Sequence, residues 1–225
     1  MNAWKIFEAD LITQMPQILA GLVNTLKLAG LISVTGLLLG IVVFYLAISK
    51  NFWIRTATNS YISFFIGMPL IVLLFLMYYG LPQWGIRMDP FVVATIGFTL
   101  NVAAYNAAYM KTAYNGLNFI QLEAAAAQGF NPLQIFRLIT LPQVLRLSVP
   151  ALTNQVIGNL KDSSVAFLIQ YTEFFARMQE LAASNFQFFK AYLLTAIVYL
   201  AMVSVIVLCA RAIERRVVFP TAQKN

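Results

Sequence analysis

Lys161 and Asp162 stand side by side in a stretch from Val149 to Tyr171 that otherwise carries no charge. An ionisable group at the middle of a bilayer costs at least a few kcal/mol, so those that persist face a protein interior or a water-filled path. Their chemistry is recognition: an ammonium and a carboxylate together complement the two ends of a zwitterionic solute. Asn154, Gln155, Asn159 and Ser163 add hydrogen-bonding groups on the same stretch, and Tyr105, with Asn101 and Asn106, adds more from another. Adjacent residues lie about 100° apart around a helix, so the two charges need not pair with each other. Two readings stand open: a lining for a polar solute, or a seam that joins helices or subunits, as Asn and Tyr often do in membranes.

Other chemistries drop out. The chain has no histidine and one cysteine, Cys209, so a single copy builds neither a disulfide nor a Cys/His metal centre. It lacks the G-x-x-x-x-G-K-[ST] loop that cradles nucleotide phosphates, so any ATP hydrolysis belongs to another polypeptide. No catalytic residue, metal site or resident cofactor is expected here. The net charge of +7 is scattered between apolar runs rather than gathered on one solvated face, which argues against nucleic acid as a partner.

The elements that position these residues follow from composition. The 225 residues are 60% hydrophobic and 10% charged, where a soluble domain is roughly a quarter charged. A membrane-crossing helix needs about 20 mostly apolar residues. No charge lies between Lys27 and Lys50, Arg55 and Arg87, Asp89 and Lys111, or Lys190 and Arg211. With the stretch that holds Lys161 and Asp162, these gaps predict five helices: Leu19 to Ile48, Asn59 to Leu81, Pro90 to Ala113, Val149 to Tyr171, and Lys190 to Ala212. Pro69 frees a carbonyl within the second and can kink it. Glu8 and Asp10 precede the first apolar run and no small-residue cleavage site follows it, so that run is expected to stay in the protein.

Lysine and arginine favour cytoplasmic loops. One set of connections holds Lys50, Arg55, Lys111, Arg137, Arg146, Arg211, Arg215, Arg216 and Lys224; the other holds Lys5, Arg87, Arg177 and Lys190 beside five acids. The N-terminus is therefore expected outside and the C-terminus in the cytoplasm.

The third and fourth helices are joined by a cytoplasmic loop, about 114–147, that is long for a helix connection. It contains QLEAAAAQGFNPLQIFRLITLPQ, from Gln121 to Gln143. Leu122 to Gln128 is rich in helix formers and Gly129 suits the left-handed residue that ends a helix. Asn131 suits an N-cap and Pro132 the first helical position, so a second short helix is expected from Pro132 to about Thr140, stopped by Pro142. Such a hairpin displays Phe130, Leu133 and Phe136. By composition alone a hairpin that lies flat on the membrane surface fits equally well.

The full pattern resembles the EAA loop in membrane subunits of type I ATP-binding cassette importers, carried here by Glu123, Ala124, Ala125, Gly129, Leu141 and Pro142. GLVNTLKL (Gly21 to Leu28), GMPLIVLLFLMYYGLP (Gly67 to Pro82), NVAAYNAAYMK (Asn101 to Lys111), NQVIGNLKDSSV (Asn154 to Val165) and AIERRV (Ala212 to Val217) are similar, in order, to the polar amino-acid permease branch. The chain departs from that branch at Ile66 and Lys111, where arginine is usual, and at Ala108, where an acid is usual.

The resemblance implies an all-α membrane protein: about five transmembrane helices of the type I importer fold with a cytoplasmic coupling-helix hairpin. It implies a permease domain over 19–213, an external segment 1–18 and a cytoplasmic tail 214–225. Glu123, Ala124, Ala125, Gly129, Phe130, Leu133, Phe136, Leu141 and Pro142 would seat in an ATPase subunit that binds the ATP and magnesium. Tyr105, Asn154, Gln155, Asn159, Lys161, Asp162 and Ser163 are the candidate pathway for an amino-acid substrate. Further partners would be a second permease subunit, the same or related, an external solute-binding protein and the lipid bilayer of a bacterial inner membrane. The alternatives are an ATP-independent oligomeric channel or a membrane scaffold whose hairpin recruits a partner.

Overall fold

The computed structural model describes residues 3–217, and every regular element within them is helical. In chain order these are α1 (Ala3–Ala47), α2 (Phe52–Gly67), α3 (Leu70–Phe75), α4 (Pro90–Asn115), α5 (Ile120–Ala127), α6 (Pro132–Ile135), α7 (Leu141–Asp162), α8 (Phe174–Asn185) and α9 (Phe188–Val217). Phe7–Ala47, Pro90–Asn115, Pro132–Ile169 and Phe188–Ala212 are long and apolar enough to cross a bilayer, and α2 with the helix after it makes a fifth crossing if the bent pair is one span.

The centre is the pairing of α1 with α4. Lipid gives no hydrophobic drive between helices, so close backbone approach must supply the attraction. Small residues allow it: a Cβ on Gly36 would stand 2.5 Å from Val102 Cγ1, and one on Gly40 would stand 2.8 Å from Asn106 Cβ. Leu28, Ile32, Val93, Ala94 and Phe98 bury together towards one end, and Val43, Phe44, Ala107 and Met110 towards the other. The opposite face of α1 leaves Ile12, Met15, Leu19, Val23, Leu26, Val34, Leu38 and Val42 exposed at helical spacing. That face is suited to lipid.

Three expectations change. First, α1 starts at Ala3 rather than Leu19 and runs 45 residues, about 68 Å at 1.5 Å per residue. Its additional turns pack Phe7 and Ile18 against Phe174, Met178, Leu181, Ala182 and Ala191 of α8 and α9. Second, the expected helix from Asn59 to Leu81 is two helices: it starts at Phe52, capped by Asn51, and is broken at Gly67–Pro69 with a bend of 98°. Pro69 lacks an N–H and pushes Met68 out of the helical region (φ −93°, ψ 130°).

Third, Pro142 does not stop a helix. The five residues Phe136–Thr140 form a π turn in which the Leu141 N–H reaches Phe136 O. The wider turn makes room for a ring that would strike the preceding carbonyls of an α-turn. α6, the π turn, α7 and a 3₁₀ stretch Ser163–Ile169 therefore make one rod from Pro132 to Ile169. The fourth span thus begins well before Val149. The same device precedes the other Leu-Pro pair, where a π turn at Leu76–Gly80 has Leu81 N–H on Leu76 O and Pro82 follows.

Candidate functional site: a cleft at the helix break

The break between α2 and α3 opens a cleft of about 660 Å³, within the range of small-ligand sites. Ile66 to Ile71 form one wall, Asn101 and Tyr105 of α4 the second, and Gln155, Gly158 and Asp162 of α7 the third, with Val165 and Leu168 beyond. α4 holds the break open. Asn101 Nδ2 donates to Phe65 O at 2.8 Å and the Tyr61 hydroxyl donates to Leu100 O at 2.7 Å, so the last turns of α2 are pinned to α4. Across the cleft, the hydroxyl of Tyr79 donates to Leu168 O at 3.0 Å and that of Tyr78 to Gln170 Oε1 at 3.1 Å, tying the first π turn to the end of the rod.

The structure divides the seven pathway candidates. Tyr105, Gln155 and Asp162 line the cleft together. Asn159 is buried in a seam: it accepts from Gln155 Nε2 at 2.9 Å and donates to Ser33 Oγ of α1 at 3.0 Å. Ser163 is buried too, donating to Leu160 O at 2.7 Å. Asn154 and Lys161 are exposed on α7 outside the cleft lining. The polar cluster thus divides by position, with Tyr105, Gln155 and Asp162 on the cleft and Asn159 and Ser163 in the packing between helices. Lys161 and Asp162 are exposed on the chain's own surface, and the ion pair among the described residues is Arg177 with Glu180 at 2.7 Å. Asn106 is buried against α1, away from the lining.

The hairpin forms at the far end of the rod. Gly129, at φ +85°, closes α5, with the Phe130 N–H on Ala125 O at 3.1 Å. Asn131 and Gln134 make a reciprocal capping box at the start of α6. Glu123, Ala124, Phe130 and Leu133 are exposed, whereas Ala125 is buried. Phe136, expected on display, is instead buried, its ring 4.6 Å from Tyr45 and 5.9 Å from Phe44. It anchors the hairpin to α1, because the π turn rotates it inward. Leu141 is half-buried and Pro142 exposed.

Sequence reasoning passed over Glu173. It is fully buried, and as N-cap of α8 its carboxylate accepts from the Phe175 and Ala176 N–H groups at 2.8 and 2.7 Å, from Thr25 Oγ1 of α1 at 3.1 Å and from the Tyr199 hydroxyl of α9 at 3.3 Å. Burial pushes its carboxyl above the ordinary glutamate range, against the pull of those hydrogen bonds. α8 was itself unanticipated. Its signal was present: Phe174, Met178, Leu181 and Ala182 recur at helical spacing behind a capping acid.

Membrane-length helices around a cleft, with one rod running from that cleft to an exposed hairpin, are the build of a multi-pass membrane subunit. The chain belongs to the family described as binding-protein-dependent transport system inner membrane component, whose pattern matches residues 32–219. It is 36% identical over 195 residues to the probable amino-acid ABC transporter permease protein PatM of Vibrio harveyi, covering 85% of this chain and 87% of that one. It is 32% identical over 212 residues to the probable amino-acid ABC transporter permease protein YckA of Bacillus subtilis (strain 168), covering 94% of each. Among solved structures, one described as an amino acid ABC transporter with histidines superposes with a TM-score of 0.82 at 28% identity, over 92% of this chain and 96% of that one. The MetNI methionine ABC transporter, at 18% identity and a TM-score of 0.76, shares the fold over 92% of this chain and 99% of its own. The expected type I importer fold is thereby met, and the chain is a non-enzymatic permease subunit of an inner-membrane importer.

Proposed function

We propose that this permease passes an amino acid through the cleft at the α2–α3 break, with Asp162 meeting the solute's ammonium and Gln155 and Tyr105 its polar groups. One observation carries the reading: the rod from Pro132 to Ile169 bears the exposed hairpin at one end and the cleft-lining Gln155 and Asp162 towards the other. A push on the hairpin is thus a movement of the cleft wall. Glu123, Ala124, Ala125, Gly129, Phe130, Leu133, Leu141 and Pro142 form or shape the surface that seats in a separate ATPase subunit, which binds the ATP and magnesium, while Phe136 holds it to α1. A second permease subunit closes the open side of the cleft, and an external binding protein delivers the solute. The N-terminus faces outward and the C-terminus the cytoplasm, with the transport unit over 19–213 between an external segment and a tail. Residues 218–225 of that tail lie outside the described residues.

The test is reconstitution in liposomes with the ATPase and the binding protein, followed by uptake of labelled amino acids. Accumulation that requires both ATP and the binding protein is expected. Solute flux that persists without ATP would replace this reading with a channel.

A further inference from the structure

The turn between α1 and α2 presents an aromatic and basic knuckle that neither the cleft nor the hairpin uses. Trp53 is 78% exposed, with Phe52 and Ile54 exposed beside it. Lys50 and Arg55 flank them. From Leu11 to Met88 the chain has no acidic residue, and the two acids of α1, Glu8 and Asp10, lie at its opposite end, about 60 Å along the helix, so nothing near the turn on α1, α2 or α3 offsets these cations. The turn is built, not loose: Asn51 Oδ1 accepts from the Trp53 and Ile54 N–H groups at 2.9 and 3.3 Å, and Arg55 Nη1 donates to Ser49 O at 3.4 Å.

Its depth in the membrane follows from the helix it starts. α2 has 16 residues, so its first turn lies about 24 Å from the cleft at Gly67. Sites of this kind sit near the bilayer midplane, and headgroups occupy the layer from about 15 to 22 Å beyond it. A tilt of about 20° brings Trp53 to that layer. We infer that the α1–α2 turn is a site for an anionic phospholipid, in which Phe52 and Trp53 enter the headgroup boundary while Lys50 and Arg55 hold the lipid phosphate. A lipid fits better than a protein groove because the paired rings of Phe52 and Trp53, edge to face at 5.5 Å, stay exposed together with Ile54, so the apolar surface wraps round the first turn instead of forming one narrow ridge. The exposed Trp84 at the other end of the α2–α3 unit lacks this bias, since Asp89 stands near Arg87 there.

The complete transporter in nanodiscs tests this. The fluorescence missing from Trp53→Phe isolates Trp53 emission, which is followed as brominated phosphatidylglycerol or brominated phosphatidylcholine is introduced into a phosphatidylcholine background. Quenching is expected at a lower mole fraction of phosphatidylglycerol, and Lys50→Gln or Arg55→Gln should each raise the fraction needed about fivefold. Equal quenching by both lipids, unchanged in those variants, makes the turn an unspecific anchor and overturns the site. Absence of quenching by either, with Trp53→Phe releasing the ATPase subunit, gives the knuckle to a protein partner and overturns it equally. Uptake plays no part in the readout, so the site stands or falls apart from the transport reading.

Discussion

Among the described residues Asp162 is the one charged side chain on the cleft lining and Lys161 stands outside it, so neutralising the two should have unequal effects. Neither makes an ion pair with a described residue, so neither change strands a buried partner there, the event that makes such substitutions destructive. Asp162→Asn should lower kcat/KM for uptake by the loss of one charge-assisted hydrogen bond, about 1.5 to 3 kcal/mol or roughly 10- to 150-fold, with complex yield unchanged. Lys161→Met should stay within about fivefold of wild type, because an exposed charge contributes at most about 1 kcal/mol. Uptake kinetics alongside yield decide the matter, and equal loss in both variants would remove Asp162 from its special place. Glu173 makes a different prediction. Its carboxyl is raised, chiefly by burial, so the folded protein favours the protonated form more than the unfolded chain does. The stability it lends is therefore full below the ordinary glutamate pKa and is lost as pH rises through the raised value. Thermal stability of the solubilised complex should fall over that window in wild type and fall less in Glu173→Gln. Glu173→Ala should be weaker throughout by about 1 to 3 kcal/mol, since the Phe175 and Ala176 N–H groups lose their acceptor. Superimposable pH curves for wild type and Glu173→Gln would show that this carboxyl does not titrate in a stability-linked way.

In the proposed function the rod from Pro132 to Ile169 gives the hairpin its leverage, and the π turn sets its aim. One additional residue in a turn rotates everything beyond it by about 100° and advances it about 1.5 Å. Pro142→Ala removes the ring that the wide turn accommodates, so an ordinary α-turn becomes available and the hairpin can re-aim relative to the cleft. The expected phenotype is normal insertion and ATPase recruitment with solute-stimulated ATP hydrolysis lost. Gly129→Asp should also uncouple, because a side chain at φ +85° costs about 1 to 2 kcal/mol and brings charge to an exposed contact surface. Solute-stimulated hydrolysis at the wild-type level in both variants would detach the rod and hairpin from coupling. What the sequence allowed one to read at this scale was local chemistry. The Asn131–Pro132 start, the Gly129 stop, α4 and α9 each follow from capping or from an unbroken apolar run. Continuation through Pro142 did not, because it goes with Phe136 finding a place against Phe44 and Tyr45 of α1, 92 and 91 residues earlier in the chain. The site was legible to the same depth. Charge and polarity singled out α7, but assigning Asp162 and Gln155 to the cleft and Asn159 to the seam needed the position of Ser33 on α1. Glu173 was hidden because a capping acid in a presumed loop reads as a solvated one.

At the scale of the molecule, two exposed faces of different character should meet different surroundings. α9 buries almost none of its apolar stretch and shows Leu193, Ile197, Leu200, Val205 and Leu208 outward, while the exposed Ser204 hydroxyl between them is spent on Leu200 O at 2.7 Å. α7 buries little of its span as well, yet its exposed side carries Asn154 and Lys161 next to the open cleft. Lipid can cover the first face cheaply, whereas in the proposed function the second faces an aqueous path closed by another permease subunit. Cysteine chemistry separates them, because the thiolate is the reactive form and a thiol in hydrocarbon does not ionise. Cys209 is the sole cysteine, so Cys209→Ser gives a clean background for Asn154→Cys, Lys161→Cys and Leu200→Cys. A charged maleimide should modify the first two in the assembled transporter and leave Leu200→Cys untouched. The binding protein loaded with solute should slow modification of Lys161→Cys, which adjoins Asp162. Added to sealed cells, the same reagent should reach the Gln187→Cys variant, in the α8–α9 connection, but not Asn118→Cys, in the α4–α5 connection, if the N-terminus faces outward. Labelling of Leu200→Cys as fast as Lys161→Cys would mean that α9 borders water and that the path has been placed on the wrong face, while labelling of Asn118→Cys in place of Gln187→Cys would invert the subunit in the membrane.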